Sequence, residues 1–168
     1  ALLYPAGELG FAEIESAVLN VARYDVFRLG EAVLAGQTQR ALRMLEGLEA
    51  EGEAAVLVCW TLAEDIRALK RVKDALAAGK PLPLALREAR AWGAKERVVE
   101  RAAGLVGDAT VAHWLEAAHV CDGLVKGLRQ PDWPAEPWQG LKRLVLLMVE
   151  ATARLPAGGR TQRLALVA

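Results

Sequence analysis

Residues 54–78 read AAVLVCWTLAEDIRALKRVKDALAA, and this stretch decides the fold. It contains no Gly, Pro, Ser or Asn and is rich in Ala, Leu, Arg and Lys, the residues that enter a helix at least cost. Ile66, Leu69, Val72 and Leu76 recur three or four apart, which aligns them on one face of a helix. The preceding turns (Val56, Leu57, Val58, Cys59, Trp60, Leu62) are apolar nearly all round, so the N-terminal half is expected to be buried on several sides, with Trp60 in the core. From Ala54 to about Ala78 such a rod spans roughly 37 Å and is expected to be the central helix.

The flanking sequence repeats the pattern. Upstream, Phe11–Ala22 puts Ile14, Ala17, Val18 and Val21 on one face. Asp25 can cap a second helix carrying Val26, Phe27, Leu29, Val33 and Leu34 to Gly36, and Thr38 a third with Ala41, Leu42, Leu45 and Leu48 inward. Downstream, Gly79-Lys80-Pro81 ends the long helix, and Pro81 and Pro83 introduce a short one through Ala89. Trp92-Gly93 precedes a helix over Ala94–Leu105. Asp108 or Thr110 then caps a helix to about Leu128, whose inward set is Val111, Leu115, Ala118, Cys121, Leu124 and Val125. After the loop Gln130–Pro134, a last helix covers about Ala135–Leu155 with Leu141, Leu144, Val145, Met148 and Ala151 on one face, and Pro156–Gly159 ends it. With one Ser, one Asn and little alternation of β-branched and polar residues, the reading is an all-α bundle of about six to eight helices.

Composition narrows the function. The 168 residues are 54% hydrophobic and 25% charged, a globular balance. Lys plus Arg equal Asp plus Glu at 21 each, which excludes a strongly basic nucleic-acid binder and leaves only local patches. The longest apolar run meets Glu64 and Asp65 well short of the ~18–20 residues of a membrane span, so a soluble protein is expected. Cys59 and Cys121, 62 positions apart, fit reduced thiols in the cytoplasm. The chain starts at Ala1 with no leader and is expected to be a piece of a longer protein.

Catalytic patterns are scarce. Glu116-Ala-Ala-His119 is the Glu-x-x-His spacing of di-iron bundles, but such a centre uses it twice, and His113 has Thr110 three positions before it. Two cysteines and two histidines form no zinc knuckle. Cys121 lies about 200° around a helix from His119, so no nucleophile pair forms there. Gly79-Lys80 runs into Pro81 rather than a phosphate loop, and Ser16 sits outside any Gly-x-Ser-x-Gly elbow. No catalytic, cofactor or metal residue is assigned. Two surface features stand out. Arg67, Lys70, Arg71 and Lys73 lie mostly on one side of the long helix, a DNA-facing candidate with Glu64, Asp65 and Asp74 as alternative partners. Of five tryptophans, Trp60 and Trp114 fall in apolar faces, whereas Trp92, Trp133 and Trp138 flank breaks and are candidate partner contacts.

Several stretches in order carry a family resemblance: Ile14-Glu15-Ser16-Ala17-Val18 into Ala22-Arg23-Tyr24-Asp25-Val26-Phe27; Arg40-Ala41-Leu42-Arg43-Met44-Leu45 with Glu51-Gly52-Glu53-Ala54-Ala55-Val56-Leu57; then Ala89-Arg90-Ala91-Trp92, Asp122-Gly123-Leu124-Val125-Lys126-Gly127, and Trp138 before Leu141. Up to about Leu155 the chain resembles the C-terminal half of the delta subunits of bacterial DNA polymerase III clamp loaders. The resemblance implies that residues 1–24 end an AAA+-like lid domain and residues 25–168 form a helical collar domain. It implies a non-catalytic piece of a DNA-directed DNA polymerase, a nucleotidyltransferase assembly active in DNA replication. The implied partners are the collars of delta prime and the gamma or tau subunits. The sliding clamp would be met only through an N-terminal domain outside this chain, and primer–template DNA through the whole assembly. Two other readings stand beside it: a helical-bundle metalloprotein around Glu116, His119 and His113, and a stand-alone DNA-binding domain using Arg67, Lys70, Arg71 and Lys73.

Overall fold

In a computed structural model, residues 26–153 are described; the helix expected over residues 11–22, the Asp25 cap and the chain beyond residue 153 lie outside them. The described residues form seven helices and no strand. They are α1 over 26–34, α2 (Thr38–Ala50), α3 (Ala55–Ala77), α4 (Leu82–Glu88), α5 (Ala94–Leu105), α6 (Asp108–Val125) and α7 (Pro137–Thr152). The all-α expectation holds, and α3 and α5 match their expected spans within a residue at each end.

α3 is the central element, packed against α4, α5, α6 and α7, while α6 also packs on α7, and α7 on α2. Its Val58, Cys59, Leu62, Ile66, Leu69 and Val72 enter a core completed by Val111, Trp114 and Cys121 of α6 and Leu141, Leu144, Val145 and Met148 of α7. Trp114 is 1% exposed, as its apolar face predicts.

Trp60 is a correction: it is 53% exposed, and Val56 one turn earlier is half exposed as well. The first turns of α3 carry apolar residues all round but have neighbours on only one side. Positions 58, 59 and 62 take that side, and 56 and 60 the opposite one. Phe27 is half exposed for the same reason, while Val26, Leu29, Val33 and Leu34 of α1 turn inward.

Helix ends are set by backbone geometry more than by the expected side-chain caps. Thr38 caps nothing. Gly36, at φ +70°, reverses the chain so abruptly that Gln37 N–H donates to Ala32 O (2.9 Å) and α2 starts at once. At this reversal the backbone of Gly36 meets the end of α7: an added Cβ would lie 2.6 Å from Thr152 O and 2.7 Å from Ala153 N. Neither Asp108 nor Thr110 is a cap; Gly107 is, and both fall within the first turn of α6. α6 ends at Val125 rather than Leu128, because the chain turns at Gly127 (φ +84°) and Leu128 N–H returns to Gly123 O (2.9 Å). α7 begins at Pro137 because the Glu136 carboxylate accepts from Trp138 N (3.1 Å) and Gln139 N (2.8 Å).

Candidate functional site

The basic positions of α3 separate into two groups. Arg67 pairs with Glu64 (2.7 Å), Arg71 reaches the same carboxylate at 3.8 Å, and Lys70 pairs with Asp74 (2.6 Å). These three cations form an exposed strip facing two acids, Arg67 and Lys70 each one helical turn from a carboxylate and Arg71 sharing Glu64 from two turns away, so only a small excess of positive charge is left for a polyanion. Lys73 sits apart from them. Its side chain is mostly buried, and it bridges α3 to α5 through Ala103 O (3.3 Å) and to α6 through Asp108 (3.2 Å).

Asp65, expected among the surface partners, is a second correction. It is 4% exposed, facing α1 and α5 rather than solvent. Its Oδ1 is ion-paired with Lys95 of α5, and its Oδ2 lies against the Cα of Gly30 in α1, where an added Cβ would be 1.8 Å away. Burial pushes its carboxyl above the usual range against the opposing pull of Lys95. Nothing in the local pattern marks Asp65 as different from Glu64 beside it; only the packing of three helices does.

The three tryptophans at breaks have different surroundings. Trp92 is 61% exposed in the α4–α5 turn, between Arg90 (φ +56°) and Gly93 (φ +59°). Trp133 is half-buried beneath the Arg143 guanidinium, 4.3 Å from its ring centre, and Arg143 also donates to Asp132 O. Trp138 is half-buried in the first turn of α7, packed on the core. Leu128 and Leu146 are further exposed apolar residues that the sequence reading did not single out.

The potential nucleophiles and metal ligands are dispersed. Cys59 and Cys121 are both buried, and burial raises their thiols to about 11 and about 12, which keeps them protonated and unreactive near neutrality. Cys121 Sγ donates to Gly140 O (3.3 Å), marking where α6 and α7 approach closely. His113 and Glu116 are exposed, 3.9 Å apart, and His119 is exposed. Among the described residues, no three His, Cys, Asp or Glu side chains converge to hold a metal ion. No described helix is long and apolar enough to cross a membrane.

What remains is a helical body with exposed apolar side chains on helix faces, as at Phe27, Val56, Trp60 and Leu146, and at turns, as at Trp92 and Leu128. The sequence is 30% identical over 152 residues to the DNA polymerase III subunit delta of Escherichia coli K12, covering 88% of this chain. The chain is homologous to part of a polymerase III delta subunit. It spans 42% of that relative's length. The Bacillus subtilis DNA clamp loader delta protein shares the fold, with a TM-score of 0.59 at 12% identity, over 85% of this chain and 41% of that one. No family model matches the sequence.

Proposed function

We propose that this chain is the collar portion of a clamp-loader delta subunit, with residues 1–24 ending an AAA+-like lid domain and residues 25–168 forming the collar. Its role is to pack against the collar domains of delta prime and the gamma or tau subunits, closing the ring that loads the sliding clamp. It does this without catalysing a reaction, in the cytoplasm. The clamp itself would be met by parts of the subunit outside this chain, and primer–template DNA by the assembled ring. One observation carries this reading: the 30% identity to a polymerase III delta subunit runs through 88% of the chain rather than through one motif. Trp92, Trp133 and Trp138 are the proposed partner contacts, with Trp92 the most accessible of the three. Arg67, Lys70 and Arg71 serve the surface of α3 rather than a duplex, since each has a carboxylate partner on its own helix.

The test is light scattering on a sizing column, with the chain alone and then mixed with delta prime and the tau collar from the same organism. A stable mixed complex, weakened at least tenfold by Trp92→Ala, is expected. Elution of each component alone at tens of micromolar, with the full-length subunit behaving likewise, would refute the reading.

A further inference from the structure

Asp65 is the only charged side chain among the described residues that the bundle buries outright. We propose that Asp65, held from the far side by Lys95, is a peg seated in the notch that Gly30 leaves in α1, and that this fixture sets the axial register of α1 on the bundle. The remaining inward residues of α1, Val26, Leu29, Ala32, Val33 and Leu34, are aliphatic. Such a stripe can repack after a slide of one turn, about 5.4 Å, so apolar burial alone specifies register weakly. The notch removes that freedom. A slide of three or four positions would bring Val26, Phe27, Val33 or Leu34 to the place of Gly30, and none has room for the carboxylate.

The chemistry of the peg agrees with such a role. A buried ion pair adds little net stability over apolar residues of similar size, and its best-attested use is to select one arrangement among several. Lys95 comes from a third helix, so the carboxylate is held by α5 as well as by its own helix on the side away from α1. A further polar anchor of α1, Thr152 Oγ1 donating to Val33 O (2.7 Å), grips a backbone carbonyl, a group that every register offers. Gly36, two residues past the end of α1, restrains the same end of the helix through its close approach to α7, and it is left intact in the test below, so that a slide there is owed to removal of the Asp65–Lys95 pair alone. The inference stands apart from the clamp-loader reading, because nothing in its test involves a partner.

The test uses the full chain with nitroxide labels at Phe27→Cys and Arg67→Cys, two exposed positions on α1 and α3, the native thiols being buried. Pulsed electron–electron resonance is expected to give one narrow distance in the otherwise native chain. In Asp65→Ala/Lys95→Met, which removes both charges together, a second population displaced by about one helical turn is expected while helical circular dichroism persists. A single unchanged distance would overturn the proposal. A thermal double-mutant cycle decides the matter even if that variant melts. Gly30→Ala should lower Tm in the native background and cost less than half as much in the Asp65→Ala background, because the added methyl then has space. Equal losses in both backgrounds would also overturn it.

Discussion

Gly36 and Gly52 have nearly the same backbone conformation, φ +70° and +76°, in opposite surroundings. An added Cβ at Gly52 meets nothing within 4 Å, whereas at Gly36 it meets Thr152 O, Ala153 Cα and Ala153 N, all within 2.7 Å. Gly52→Ala therefore pays only for placing an L-residue in the left-handed region, about 1–2 kcal/mol. Gly36→Ala incurs that cost and a clash with backbone atoms, which no rotamer change relieves. The end of α7 must move, losing the Thr152–Val33 hydrogen bond, about 1 kcal/mol, and close packing worth about 1–3 kcal/mol. The expected difference between the two variants is about 2–4 kcal/mol. Urea unfolding followed by circular dichroism reads this as a midpoint roughly 1–2 M lower for Gly36→Ala than for Gly52→Ala, at an m-value of about 2 kcal/mol/M. Equal midpoints would refute the account of Gly36 as a point of obligatory close approach.

Trp60→Ala should change stability by less than about 0.5 kcal/mol, while Trp114→Ala should cost about 3–5 kcal/mol, a contrast that chemical denaturation of the two variants measures directly. Glu136→Ala removes the acceptor for two backbone N–H groups and should cost about 1 kcal/mol, with faster amide exchange at Trp138 and Gln139. The folded protein holds the Asp65 carboxyl above its unfolded value, so it binds that proton more tightly than the unfolded chain does. Stability from this group is greatest below the unfolded pKa, falls as pH rises from the unfolded to the folded pKa, and is flat above. Asp65→Asn, which imitates the protonated form, should therefore gain on the native chain as pH rises above the ordinary carboxylate range of about 4, and a stability difference independent of pH would contradict this.

The core helices were legible in the sequence because their signal is local. Periodicity places Ile66, Leu69 and Val72 on one face of α3, and the Gly-Lys-Pro stop and the Trp-Gly break bound α3 and α5 whatever they pack against. Trp60 departs from expectation because an all-apolar turn reveals that burial is available but not which side a neighbour occupies. Asp65 departs from it because burial of a carboxylate depends on Gly30 and Lys95, 35 and 30 positions away, and no spacing rule links them. The expected caps fail because the capping positions of α2 and α6 fall on Gln37 and Gly107, one residue before Thr38 and Asp108, which puts those polar side chains inside the first turn. Partner contacts are the least legible, since half-burial of Trp133 and Trp138 satisfies the demands of a core edge as well as those of an interface.

The bond from Thr152 to Val33 joins residues 119 positions apart and draws the end of α7 to the end of α1. Val26 lies seven residues before Val33, about 11 Å along the helix, so the chain reaches and leaves the described bundle at one corner. Tension applied between these two leads would run through α1 and the last turn of α7 alone, peeling their contacts one after another. The α3–α6 core lies outside that path and would be spared until α1 had come away.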